Sequence, residues 1–99
     1  MIIYEITAIV SEELIENYES YMQKTHIPDL LATGYFSDAY FTRAGKNRYR
    51  IQYHARSQKA LNEYLKHQAT RLRDDFTKHF SEGIEITREN WEVLQSWKR

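Results

Sequence analysis

The chain has 99 residues, 41% of them hydrophobic, with one Pro, three Gly and no Cys, and its fourteen Lys and Arg balance fourteen Asp and Glu. That length holds one domain over residues 1–99, because half of it could not bury a self-sufficient core. The missing Cys excludes disulfides, thiolate nucleophiles, Cys zinc sites and iron–sulfur clusters, and the zero net charge argues against a globally basic nucleic-acid binder.

The longest apolar run is Met1–Tyr4, too short to cross a bilayer, and no basic-then-apolar stretch marks a secretory signal. The expectation is a soluble, cytoplasmic domain with no membrane partner. In residues 2–10, Ile2, Tyr4, Ile6, Ala8 and Val10 share one face and Ile3, Glu5, Thr7 and Ile9 the other, which predicts a strand. Ser11 offers an N-cap, and Glu12 and Glu13 suit the positive end of a helix. Leu14, Tyr18, Tyr21, Met22 and Thr25 then keep helical spacing. Pro28 is expected to end that helix near His26, with a short further turn before Gly34.

Phe36–Arg43 and Arg48–Arg56 flank Ala44-Gly45-Lys46-Asn47 and read as a β-hairpin. Tyr49, Ile51, Tyr53 and Ala55 share one face of its second strand; Arg48, Arg50, Gln52, His54 and Arg56 share the other. Ser57 is a second N-cap, and Ala60, Leu61, Tyr64, Leu65, Ala69, Leu72, Phe76 and Phe80 form one helical stripe. That helix would span roughly 36 Å, longer than the strands beneath it, so a bend is expected near Gln68–Thr70. After Gly83, a last strand carries Ile84, Ile86, Trp91, Val93 and Leu94. Its alternation slips phase between Thr87 and Trp91, a sign of a bulge or of a change of role. The order β-α-β-β-α-β is the ferredoxin-like α+β arrangement: an antiparallel four-stranded sheet with two helices on one face.

Charge is balanced overall but segregated locally. Residues 1–38 hold seven acids and one base, whereas residues 39–73 hold nine bases and one acid. Such segments can neutralise each other within one chain or across a symmetric dimer, without any external partner.

The helix-free sheet face would carry Glu5, Thr7, Arg48, Arg50, Gln52 and His54 with Ile3 and Ile9. RNA binding needs stacking aromatics on that face, but the tyrosines of Arg48–Tyr53 alternate with the arginines and point inward. No nucleic-acid partner is therefore expected. Ile3, Ile9 and pairs drawn from Glu5, Arg50 and His54 suit a two-fold contact with a second copy better.

Several stretches carry a family likeness: Met1–Ile6, His26-Ile27-Pro28 with Leu30–Phe36, and Tyr53 before the second helix. Leu61/Tyr64/Leu65 with His67, Arg71-Leu72-Arg73, Phe80 and Thr87-Arg88 extend it to nearly the whole chain. The sequence resembles an uncharacterised bacterial family of the dimeric α+β barrel superfamily, related in fold to antibiotic-biosynthesis monooxygenases. The resemblance implies a homodimer whose sheets face each other, with a cavity between each sheet and its own helices. Some members of that superfamily are cofactor-free oxygenases and others degrade haem. The haem-degrading members use a first-strand Asn with a Trp and a His of the helical region. Here the first strand offers Thr7, and Trp91 and Trp97 both lie near the C-terminus, leaving only His67 of that set. No cofactor is expected.

The candidate site follows from the inward phenols. Tyr4, Tyr49 and Tyr53 point at one small core that cannot easily satisfy three hydroxyls, which suggests a small apolar or aromatic ligand among them. Its walls would be Tyr4, Tyr53, Tyr64 and Leu65, and His26 or His67 would be the catalytic candidates, giving a pH dependence between about 5.5 and 7.5. Each histidine has a plainer reading: His26 as a charged residue at a helix C-terminus, His67 as the surface partner of Glu63. Glu5 and Arg88 are expected to pair across neighbouring strands. His79 and Asp75 sit one turn apart without a third ligand, so no metal site is expected. Two function classes remain: a small-molecule-binding dimer, extending to a cofactor-independent oxygenase-like enzyme, and a non-catalytic structural or regulatory homodimer.

Overall fold

The computed structural model describes residues 1–99. The β-branched alternation of the N-terminus forms β1 (Ile2–Val10), and β2 (Phe36–Ala44) and β3 (Arg48–Ala55) form the hairpin across Gly45-Lys46-Asn47. The last strand is β4 (Ile84–Glu92). The sheet order is β2-β3-β1-β4 with every neighbouring pair antiparallel, a ferredoxin-like α+β sheet. Ile2, Tyr4, Ala8 and Val10 of β1 and Tyr49, Ile51, Tyr53 and Ala55 of β3 are buried, so the apolar parity of both central strands faces the helices.

The first helical segment departs from expectation at both ends. Ser11 makes no side-chain cap; its N–H donates to the Gly83 carbonyl at 2.8 Å, and a tight 3-10 turn, Glu12–Leu14, leads into α1 (Ile15–Tyr21). Nor does the helix end at His26. A π-helical turn, Met22–His26, runs directly into α2 (Ile27–Ala32), and Ile27 keeps helical angles (φ −65°, ψ −46°) despite preceding Pro28. The wide turn places Pro28 in the first turn of a new segment, where its missing N–H has no partner to lose.

The long C-terminal stripe divides into α3 (Gln58–His67) and α4 (Ala69–His79), with the break at Gln68 (φ −125°, ψ −31°). Ser57 caps α3 by accepting the Ala60 N–H at 3.1 Å. Strand β4 pairs with β1 in unbroken register from Ile2–Glu92 to Val10–Ile84, so the phase slip is no bulge. Trp91 instead joins Thr87 and Glu89 on the helix-free face, and the strand ends before Val93. The sheet's irregularity lies in β2, between Phe36 and Asp38.

Gly83 closes the gap between α4 and β4. Its φ is +86°, a left-handed backbone that favours glycine, and a Cβ there would lie 2.7 Å from Leu14 Cδ1, so that side chain would have to shift as well. Charge segregation resolves within one chain. Acids of the first segment meet bases of the second in Glu19–Arg43 (2.9 Å), Glu12–Lys46 (2.7 Å), Glu5–Arg50 (3.5 Å) and Asp38–His54 (3.2 Å). No helix is long and apolar enough to cross a membrane.

Candidate functional site

The inward phenols of β1 and β3 meet the stripe of α3 in an aromatic cluster. The Tyr4 ring centroid lies 6.0 Å from that of Tyr53, 5.9 Å from Tyr64 and 6.1 Å from Phe36. A second cluster, around Tyr18, Tyr49 and Phe41, fills the other end of the sheet. Large rings at these spacings pack imperfectly. Between the sheet and the helices they leave a cavity of about 230 Å³, with thirteen hydrophobic residues among the nineteen that line it.

Two of the three strand phenols find partners. Tyr49 donates to Glu19 Oε2 at 2.6 Å, and Tyr4 accepts from Arg73 Nη2 at 2.9 Å. The Tyr53 hydroxyl is buried with no hydrogen-bond partner. Burial pushes the Tyr53 phenol far above its ordinary pKa and raises that of Tyr64 as well, while Arg73 and Arg88 pull Tyr64 back down. Tyr49 is raised to about 12, first by desolvation and then by its bond to the Glu19 carboxylate.

The structure brings Tyr4, Tyr53, Tyr64 and His26 to the cavity wall. Leu65 is only half-buried and packs against the core without reaching the cavity. His67 lies outside it altogether: Nε2 sits 3.1 Å from Glu63 Oε2 on the exposed face of α3. That position follows from spacing, because Leu61, Tyr64 and Leu72 hold the buried stripe and His67 falls to its flank.

His26 packs edge-on against Phe76 at 5.5 Å and near-parallel to Tyr21 at 5.9 Å. Its pKa is lowered from 6.5 to about 4, chiefly by desolvation among these rings, with Arg88 adding to the shift and Asp29 and Asp75 opposing it. The expected charged histidine at a helix end is therefore neutral near pH 7. The helix does not end there, so no carbonyl dipole stabilises the cation. A pH dependence set by this residue lies below the expected window.

Sequence reasoning passed over two basic residues at this site. Arg73 follows Leu72 on α4 and reaches back to Tyr4. Arg88 shares the inward parity of Ile84 and Ile86 on the edge strand and also lines the cavity. The expected Glu5–Arg88 pair does not form, since the two side chains lie on opposite sheet faces. Glu5 instead accepts from Gln52 Nε2 (3.0 Å) and Trp91 Nε1 (3.2 Å) on the helix-free face, beside Arg50. The strand parity of Glu5 and Arg88 would have revealed this once the register was known.

The helix-free face also exposes Ile9 (44%) of β1 and, from the two edge strands, Tyr40 (57%) and Trp91 (48%), an apolar addition to the polar network around Glu5. No cluster of three or more His, Asp or Glu side chains converges to hold a metal. His79 stacks on Tyr21 at 4.2 Å.

A family model described as a domain of unknown function, DUF4286, matches residues 1–94. The chain belongs to this family. No curated protein matches the DUF4286 chain. Among solved structures it is similar to a dimeric ferredoxin-like protein from an uncultured marine organism, with TM-score 0.76 and 11% identity over 97% of each chain. It is also similar to a candidate antibiotic biosynthesis monooxygenase from Deinococcus radiodurans, with TM-score 0.67 and 16% identity over 100% of this chain and 98% of that one. A third match is the heme-degrader MhuD from Mycobacterium tuberculosis, with two hemes bound in its active site. It has TM-score 0.58 and 14% identity over 97% and 99% of the two chains. These likenesses show that the DUF4286 chain has the ferredoxin-like fold that its sequence pattern implies.

Proposed function

We propose that this DUF4286 chain is a homodimer, joined through the helix-free sheet faces, in which each protomer binds a small apolar or aromatic molecule between sheet and helices. The observation that carries the reading is the cavity itself. It is a pocket of about 230 Å³ between sheet and helices, lined by thirteen hydrophobic residues with a few polar groups, the composition of a small-molecule site. A cavity of roughly 150 Å³ suffices for benzene, so this one takes a single ring with a short substituent. The mixed apolar and polar character of the opposite face supports the dimer, as do the dimeric ferredoxin-like proteins of the same fold.

Haem does not fit this site. A four-pyrrole macrocycle exceeds a volume of this size, and the first-strand position Thr7 faces away from the helices. Proton abstraction is also poorly served. A histidine titrating at about 4 is a weak base at cellular pH, so His26 acts as a neutral hydrogen-bonding group at the cavity wall. Binding is the function the geometry supports.

A thermal-shift screen of fragment-sized ring compounds tests the reading, since a ligand that binds only the folded state raises the melting temperature by mass action. Several single-ring compounds are expected to stabilise the protein at millimolar concentration. If none does, the rival stands: a structural or regulatory homodimer whose tyrosine cluster is only core.

A further inference from the structure

Two guanidinium groups line the apolar cavity, and neither reaches a carboxylate. Arg73 bonds only to the Tyr4 hydroxyl, at 2.9 Å, and no ion pair of the chain includes Arg73 or Arg88. The chain does not lack acids to pair with them. The acids of residues 1–38 meet Arg43, Lys46, Arg50 and His54 elsewhere, and Glu5 lies across the sheet from Arg88. Glu82 lines the same cavity but precedes Ile84, and Ile84 to Arg88 alone spans on the order of 13 Å by strand rise. The Arg73 and Arg88 end of the cavity is thus positive, walled by Tyr4, Tyr64 and Ile86, and without an internal counter-ion.

We propose that the molecule taken by this cavity is a small organic monoanion: an apolar or aromatic body of about one ring carrying a carboxylate held by Arg73 and Arg88. The proposal rests on the small-molecule reading above and names its ligand class. Guanidinium groups match a carboxylate in planar, charge-assisted geometry, and both arginines are exposed, so a carboxylate entering from solvent can meet them without being fully buried. The body is fixed by volume: a ring and a few further atoms fill about 230 Å³, while a longer chain would have to leave it.

The test compares charged and neutral probes of one shape: benzoate against benzamide, and 3-phenylpropanoate against 3-phenylpropanol. Binding is read by calorimetry and by amide chemical-shift mapping. The carboxylates are expected to bind at least about tenfold more tightly than their neutral partners, with shifts concentrated at Leu72, Arg73, Ile86 and Arg88. Arg88→Gln, on an edge strand where the side chain holds no other bond, should cut carboxylate affinity roughly tenfold or more and leave the neutral probes unchanged. Arg73→Gln should do the same, with the native amide spectrum as the check on its fold. Equal binding of charged and neutral probes, or indifference of the carboxylates to both substitutions, overturns the proposal while the small-molecule reading survives. Silence of every probe, charged and neutral, overturns both.

Discussion

The buried hydroxyl of Tyr53 makes a quantitative forecast. It has no partner in the chain and no contact with solvent, so the folded state bears its desolvation without return. Leaving a buried hydroxyl unsatisfied costs about 1–3 kcal/mol. Tyr53→Phe removes that oxygen and keeps the ring contacts with Tyr4, 6.0 Å away, and Phe36, 5.3 Å away. The void left by one oxygen, roughly 10–15 Å³, costs about 0.3 kcal/mol at about 24 cal/mol per Å³. The substitution should therefore stabilise the unliganded protein by about 1–2 kcal/mol. For a domain of this size each kcal/mol raises Tm by about 4–8 °C. Urea denaturation followed by circular dichroism, with an unchanged m-value, measures the difference. A Tyr53→Phe protein no more stable than the parent would refute the reasoning, because it would mean that the hydroxyl already has a partner.

The other expectations follow from geometry already described. Gly83→Ala and Gly34→Ala, at φ +86° and +84°, should each cost about 1–2 kcal/mol in the same urea denaturation, with Gly83 the costlier because Leu14 must also shift from a 2.7 Å approach. The folded-state pKa of His26 is depressed, so the unfolded chain takes up its proton first as pH falls from about 6.5 toward about 4. Stability is lost across that window, by at most about 3 kcal/mol, and His26→Gln should flatten this part of the stability–pH curve. Tyr49→Phe should destabilise by about 1–2 kcal/mol, since it removes a 2.6 Å bond to a charged Glu19; an unchanged midpoint in urea would contradict that. Ile9→Glu on the helix-free face should give a folded monomer by light scattering where the parent chain is a dimer; a parent that is itself monomeric at micromolar concentration removes the proposed interface.

The fold was legible in the sequence because its signals are local and repeated. Alternation in Ile2–Val10 and Arg48–Ala55 identifies the two central strands and their buried parity, and the stripe from Ala60 to Phe80 identifies the helices above them. Four features were less legible, each for a physical reason. The helix through Pro28 continues because a π turn shifts the hydrogen-bond register, an option that proline statistics do not reveal. Trp91 reads as core by hydrophobicity, but the unbroken β1–β4 register assigns it to the open face. At the site, parity placed Tyr4, Tyr53 and Tyr64 together, whereas His67 was a choice among helical flanks that spacing alone left open. Arg73 and Arg88 escaped because long basic side chains usually signal solvent, and only the tertiary arrangement turns them along an apolar wall.

The two helix irregularities border the same cavity. The π turn Met22–His26 carries the chain into α2 without a break, and Met22 and His26, four residues apart and so on one helix face, both line the cavity. On the opposite side, the break at Gln68 lets α4 take its own direction after α3 has packed Leu61 and Tyr64 onto the sheet. Leu72, Arg73 and Phe76 of α4 then form the second wall, and β4 closes the third with Ile84, Ile86 and Arg88. Both irregularities thus border one cavity, and side chains from either side of it, His26 next to the first and Arg73 beyond the second, contribute to its wall.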